Sequence, residues 1–174
     1  MKIFRIFADH LFAIHFEDET YNELRRLLIL WNDTSYLHHF VMQNKSDIPQ
    51  KTTIPTLINQ LIENANEIDD TLHEISLDPD RNLEEFFKPL DNQEYQIGIL
   101  SKQKGRKNYL RLYAIRIDKN CFVITGGTIK FHHLNKDRIH TQNEMQKIEI
   151  CRDYLKNNGV FDADSFYEFL KEQL

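Results

Sequence analysis

A chain of 174 residues has the length of one compact domain rather than two. Hydrophobic residues make up 41% and charged residues 28%, with 12 Phe and 7 Tyr, enough apolar material for a sizeable core and too much for a disordered chain. The net charge of -5 conceals a division: residues 1–100 carry 8 Lys/Arg against 18 Asp/Glu, residues 101–147 carry 11 against 3 together with three of the eight histidines, and the remaining residues carry 3 against 6. A basic block inside an acidic chain points to a surface that meets a polyanion, and its plainer reading is a solvated lysine-rich loop.

No apolar run approaches the roughly 20 residues that cross a bilayer, and Asp9 and His10 interrupt the opening MKIFRIFADH before it forms a signal-peptide core. The expectation is a cytoplasmic protein with no membrane partner. Cys121 and Cys151 are too few for a disulfide framework and lack the paired spacing of a zinc site, so they read as free buried thiols.

In chain order, KIFRIF and LFAIHF read as two strands or a bent hairpin. Thr20 and Glu23 form a Thr-x-x-Glu capping box ahead of a helix over residues 21–31. Asp33, Thr34 and Ser35 offer the cap of a shorter helix through Val41, and Pro55 suits the first turn of a third. There, Leu57, Ile58, Leu61, Ile62, Ala65, Ile68, Leu72 and Ile75 give the longest apolar stripe, opposite a solvated acidic face. Asp78-Pro79 predicts a short helix through Leu83, Phe86 and Phe87, stopped by Pro89.

After Pro89 the period changes to two. YQIGIL (residues 95–100), NYLRLYAIRI (108–117) and CFVIT (121–125) read as an antiparallel meander joined by the polar loop SKQKGRK and the turn at Asp118, Lys119 and Asn120. Alternation puts Arg111 and Tyr113 on one face of the middle strand. Gly126-Gly127 marks a bend or bulge. Thr141 and Glu144 form a second Thr-x-x-Glu box opening a helix with Met145, Ile148, Cys151 and Leu155 inward, and Asn158-Gly159 reads as its left-handed stop. A last short helix runs from near Asp164 to Leu170. The fold class is therefore α+β: a curved antiparallel sheet built chiefly from residues 95–131 and packed against helices, in a single domain whose residues 1–90 are a mainly helical acidic half with N-terminal strands.

The basic block sorts into groups. Lys102, Lys104, Arg106 and Lys107 fall on the predicted loop, Arg111 and Arg116 on the central strand, and Lys130, His132, His133, Lys136, Arg138 and His140 after the double glycine. Converging on one side, the first two groups would neutralise several phosphates, with Tyr109 and Tyr113 available to stack on bases. Metal-free RNA cleavage needs an acid or base near neutrality and cations for the charged phosphorane, and Arg111, Lys130, His132, His133 and His140 are of the right types. His132 and His133 cannot both face one site on a strand. No metal or other cofactor is implied, since no phosphate-binding loop, HExxH or GxSxG motif is present and the His/Cys spacing matches no structural zinc pattern.

The run GRKNYLRLYAIRIDKNCFVITGGTIK, followed by a polar segment and TQNEMQKIEICRDYL, resembles the RelE superfamily of toxin-antitoxin toxins, especially its HigB-like branch. The resemblance covers residues 83–156 and rests on order and spacing. It implies a metal-independent endoribonuclease acting on mRNA, commonly at the ribosome, with a cognate antitoxin of helix-turn-helix type as partner; by position Arg111 matches the arginine of the family's central strand and Lys130 the lysine after its glycine turn, and the residue types above add His132 or His133 as acid or base. Lys102, Lys104, Arg106, Lys107, Tyr113 and Arg116 become the RNA-binding set. Where many HigB-like sequences read Gly-Phe-x-Lys-Lys, this chain has Gly127-Thr128-Ile129-Lys130-Phe131, so the second lysine is absent. The alternative is a non-catalytic RNA-binding or protein-interaction module on the same fold.

Overall fold

The computed structural model describes residues 1–91, 100–132 and 138–173. Its elements are β1 (Lys2–Arg5), β2 (Leu11–His15), α1 (Glu23–Asn32), α2 (Thr34–Gln43), α3 (Ile54–Leu77), β3 (Phe87–Pro89), β4 (Ser101–Lys107), β5 (Leu110–Asp118), β6 (Cys121–Ile129), α4 (Ile139–Asn157) and α5 (Ala163–Glu172). The strands form one sheet in the order β1-β2-β6-β5-β4-β3, so the protein is α+β.

The sheet is mixed rather than wholly antiparallel, because β2 lies parallel to β6 with Leu11 opposite Phe122 and Ala13 opposite Ile124. Parallel neighbours need a long crossover, and the three helices and three strands between β2 and β6 supply it. The segment expected as a polar loop, residues 101–107, is strand β4, and Phe87–Pro89, expected at the end of a short helix, is strand β3. Both depart from the sequence pattern for the same reason: pairing with a neighbour outweighs weak local propensity. Phe87 is buried and stacks on Phe122 with ring centroids 5.1 Å apart, while Pro89 is tolerated because β3 is an edge strand. Residues 95–99 of the expected strand YQIGIL lie outside the described residues.

Helices cover both faces. Leu11, Ala13, Leu112, Ala114, Phe122 and Ile124 pack beneath α1, α2 and α3, whose whole apolar stripe from Leu57 to Ile75 is buried apart from the partly exposed Ile62. Phe12, Ile14, Tyr113, Ile115 and Val123 point the other way onto Ile148, Cys151 and Leu155 of α4 and Phe166 and Phe169 of α5. Cys121 and Cys151 are free and buried in this second layer, and burial pushes both thiols up to about 12. Gly159, at φ +77°, ends α4 in the left-handed conformation.

Both predicted capping boxes are corrected. Asn22, not Thr20, caps α1, its side chain accepting from the Arg25 N–H at 3.1 Å. At α4 the helix begins two residues before Thr141, with no side-chain cap at Arg138, and the Thr141 hydroxyl turns back to the Arg138 carbonyl at 2.8 Å. Glu23 and Glu144 are thereby released from capping and meet elsewhere. No helix among the described residues is long and apolar enough to cross a membrane.

Candidate functional site

The β4–β5 hairpin turns at Asn108, which adopts φ +48° and is held to α3 by a 2.9 Å hydrogen bond from its side-chain amide to Asn64. Asparagine tolerates this left-handed backbone better than most residues. The register sets Arg106 opposite Arg111, and Arg111 opposite Thr128, so these three side chains form one row across β4, β5 and β6 on the α4 face. Both guanidinium groups lean on the same carbonyl: Arg106 donates from Nε to Asn108 O at 3.3 Å, and Arg111 donates from one terminal nitrogen to Asn108 O and Leu110 O. The other nitrogens of both side chains remain available, and among the described residues neither arginine meets a carboxylate. Burial, and after it the neighbouring Arg106 charge, lowers the Arg111 pKa below its ordinary value. Like charges directly opposite in a sheet are unfavourable. Lys104, one row further along the same face opposite Tyr113, has no ion pair among the described residues, and Lys130 follows β6 at the same end of the sheet, with its backbone N–H on Tyr109 O at 2.7 Å.

The rest of the predicted RNA-binding set is distributed differently. Lys102 pairs with Glu149 at 2.6 Å, Lys107 with Glu67 at 2.6 Å, and Arg138 reaches Asp47 at 2.7 Å, its hydrogen bond holding that carboxyl below the usual range. Arg116 points to the opposite face of the sheet and pairs with Glu84 at 2.7 Å. Much of the charge division in the sequence is thus cancelled across the fold, acidic helices meeting basic strands. Tyr113 is only 1% exposed, and burial pushes its hydroxyl up to about 12, so it belongs to the core and not to a base-stacking platform. His132 packs against the start of α4, with its ring 5.4 Å from that of His140 and Nε2 3.3 Å from the Thr141 hydroxyl. His133 and Lys136 lie outside the described residues. Among the described residues no three His, Cys, Asp or Glu side chains are grouped to hold a metal ion.

No family model, curated protein or solved structure matches the chain.

A second group of charges, unrecognised in the sequence, lies beside this row. β2 pairs with β6 only from Phe122 to Ile124, which leaves the edge of residues 125–129 without a partner strand among the described residues. Side chains of α4 cover that edge instead, Glu144 lying against Gly126 and Gly127 and the His140 ring facing the Ile129 carbonyl. Glu144 can approach because residue 126 is glycine; a Cβ there would lie 2.1 Å from Oε2. Lys147 stands 3.7 Å from Glu144 and also binds Glu23, which is in turn gripped by Arg26 through two hydrogen bonds of 2.8 Å. Desolvation raises the Glu144 carboxyl to about 7, with Lys147 opposing and Glu23 adding to the shift. The two Thr-x-x-Glu motifs therefore mark the two ends of one buried cluster joining α1 to α4. The spacing of Glu23 and Glu144 gave no signal of this, since that neither caps its helix shows only in the structure.

At Gly127 an added side chain would meet backbone first. Its Cβ would stand 2.6 Å from the Arg111 carbonyl and 2.9 Å from Leu27. Because the first obstacle is backbone, Gly127→Ala is expected to destabilise the protein by about 2–3 kcal/mol, measurable as a shift of the urea midpoint.

Proposed function

We propose that this protein binds single-stranded RNA, gripping the phosphate backbone with Arg106, Arg111 and Lys104. The supporting observation is the cross-strand arginine pair: two like charges held side by side on one carbonyl and, among the described residues, in no ion pair, in a fold where Lys102, Lys107, Arg116 and Arg138 each meet a carboxylate. An anion bridging the pair relieves their repulsion, and guanidinium groups bind phosphate through paired N–H donors.

Two or three phosphate contacts predict a log-log salt dependence of RNA affinity with slope about -1.4 to -2.1. Arg111→Ala is expected to weaken binding by roughly tenfold and make the slope shallower by about 0.7. Arg116→Ala, on the other face, leaves the slope unchanged. A flat salt response, or equal effects from Arg111 and Arg116, overturns the reading.

Endoribonuclease activity of the toxin type is a second reading. It is favoured by the nearness of Glu144, which titrates around neutrality, to the cross-strand row Lys104–Tyr113–Gly126 next to Arg111. On this reading Arg111 and Lys130 stabilise the charged phosphorane, Glu144 moves the proton, the substrate is mRNA on the ribosome, and an antitoxin neutralises the protein. Cleavage in a translating extract that disappears in both Arg111→Ala and Lys130→Ala supports it. RNA binding without cleavage leaves the binding module.

A further inference from the structure

The row Arg106–Arg111–Thr128 does not stop at the sheet. Thr128 lines a pocket of about 170 Å³ at the free edge of β6, formed by Leu27, Trp31 and Arg26 of α1, Tyr36 and Phe40 of α2, and His140, Asn143 and Glu144 of α4. This is smaller than the roughly 300 Å³ at which sites for drug-sized ligands begin, and suits a single ring system. Its walls are aromatic and its lining carries polar groups, the composition that receives a flat heterocycle. Two atoms of the wall residues, His140 Nε2 and Glu144 Oε2, are buried with no hydrogen-bond partner. Buried polar groups are rarely left so, and an unmet acceptor in a pocket wall is a demand that a ligand can answer. In the neutral tautomer that carries its proton on Nδ1, toward the Ile129 carbonyl, Nε2 of His140 is an acceptor, as is an ionised Glu144 oxygen.

We infer that this pocket receives one nucleobase, and that a base bearing an amino group is preferred because it supplies the N–H donors those two acceptors lack. The inference rests on the RNA-binding reading for its source of bases. Adjacent strands are about 4.8 Å apart, so a phosphate on Arg111 is one strand spacing from Thr128 at the pocket, within the span of a single nucleotide. Stacking on Tyr36, Phe40 or His140 supplies affinity for any base, and the two acceptors supply choice.

The test uses the intact protein, whose single tryptophan, Trp31, lies in the pocket wall. Titration with adenosine, cytidine, guanosine and uridine, and with their 5'-monophosphates, is followed by Trp31 emission, with free tryptophan amide correcting for absorption by the bases. Saturable quenching is expected, weakest for uridine. Tyr36→Ala should raise the nucleoside dissociation constant about tenfold. Asn143→Met, at an exposed helix position that lines the pocket, fills it from a site without a core change and should abolish saturable quenching. Arg111→Ala should weaken the monophosphates and leave the nucleosides unchanged. Absence of saturable quenching at millimolar nucleoside, quenching indifferent to Asn143→Met, or a preference for uridine overturns the inference. RNA binding that depends on Arg111 with a silent Trp31 leaves the phosphate grip standing and removes the pocket. Nucleoside binding without RNA binding does the reverse.

Discussion

Replacing Glu23 with alanine lowers the unfolding free energy by about 3 kcal/mol, the low end of the range for removing one partner from a buried ion pair. The Glu23 side chain is 1% exposed and is the common acceptor of Arg26 and Lys147, so its loss leaves two cations facing each other across the α1–α4 junction. The value falls at the low end because Arg26 and Lys147 each keep 21% of their side-chain surface in contact with solvent. Urea denaturation at neutral pH measures it. An effect below that of an ordinary surface substitution, about 0.5 kcal/mol, would show that the cluster does not hold the helices together.

Glu144→Gln is expected to act in the opposite direction, stabilising the protein at pH 8. The folded-state pKa of about 7 lies above the ordinary 4.5, so the native state binds this proton more tightly than the unfolded chain. The associated stability is fully present below pH 4.5, declines as pH rises, and is gone above about 7. Over that window the wild-type protein loses on the order of 3 kcal/mol that the glutamine variant keeps. Glutamine preserves the shape and removes the charge that burial disfavours. The difference between the two unfolding free energies, measured from pH 5 to pH 8, should therefore widen with pH. A difference that stays constant would mean that Glu144 titrates as an exposed carboxylate. In a Glu23→Gln background the widening should move to lower pH, because the Glu23 charge helps to raise the Glu144 pKa.

The apolar stripe of α3 was legible in the sequence because a helix buried along one face must repeat its apolar residues every three or four positions. The alternation in β5 likewise placed Arg111 and Tyr113 together on one face before any contact was known. Turn-forming residues between two alternating runs found the β5–β6 hairpin, and a glycine after the last apolar residue found the left-handed stop at Gly159. These are local properties, set by covalent geometry and by the period of each element.

What the sequence did not contain was which surfaces meet. SKQKGRK has the composition of a loop, and only pairing with β5 on one edge and β3 on the other makes it a strand. The charge division suggested one broad basic surface, yet Glu67, Glu84, Glu149 and Asp47 arrive from distant segments to neutralise much of it, leaving the Arg106–Arg111 pair as the distinctive residue of that pattern. Glu23 and Glu144, separated by most of the chain, share one lysine only because α1 and α4 close over the free edge of β6. Ion pairing and desolvation depend on distances through space, which sequence spacing does not encode, and so the tertiary structure alone decided which cations face solvent and which carboxyl group titrates near neutrality.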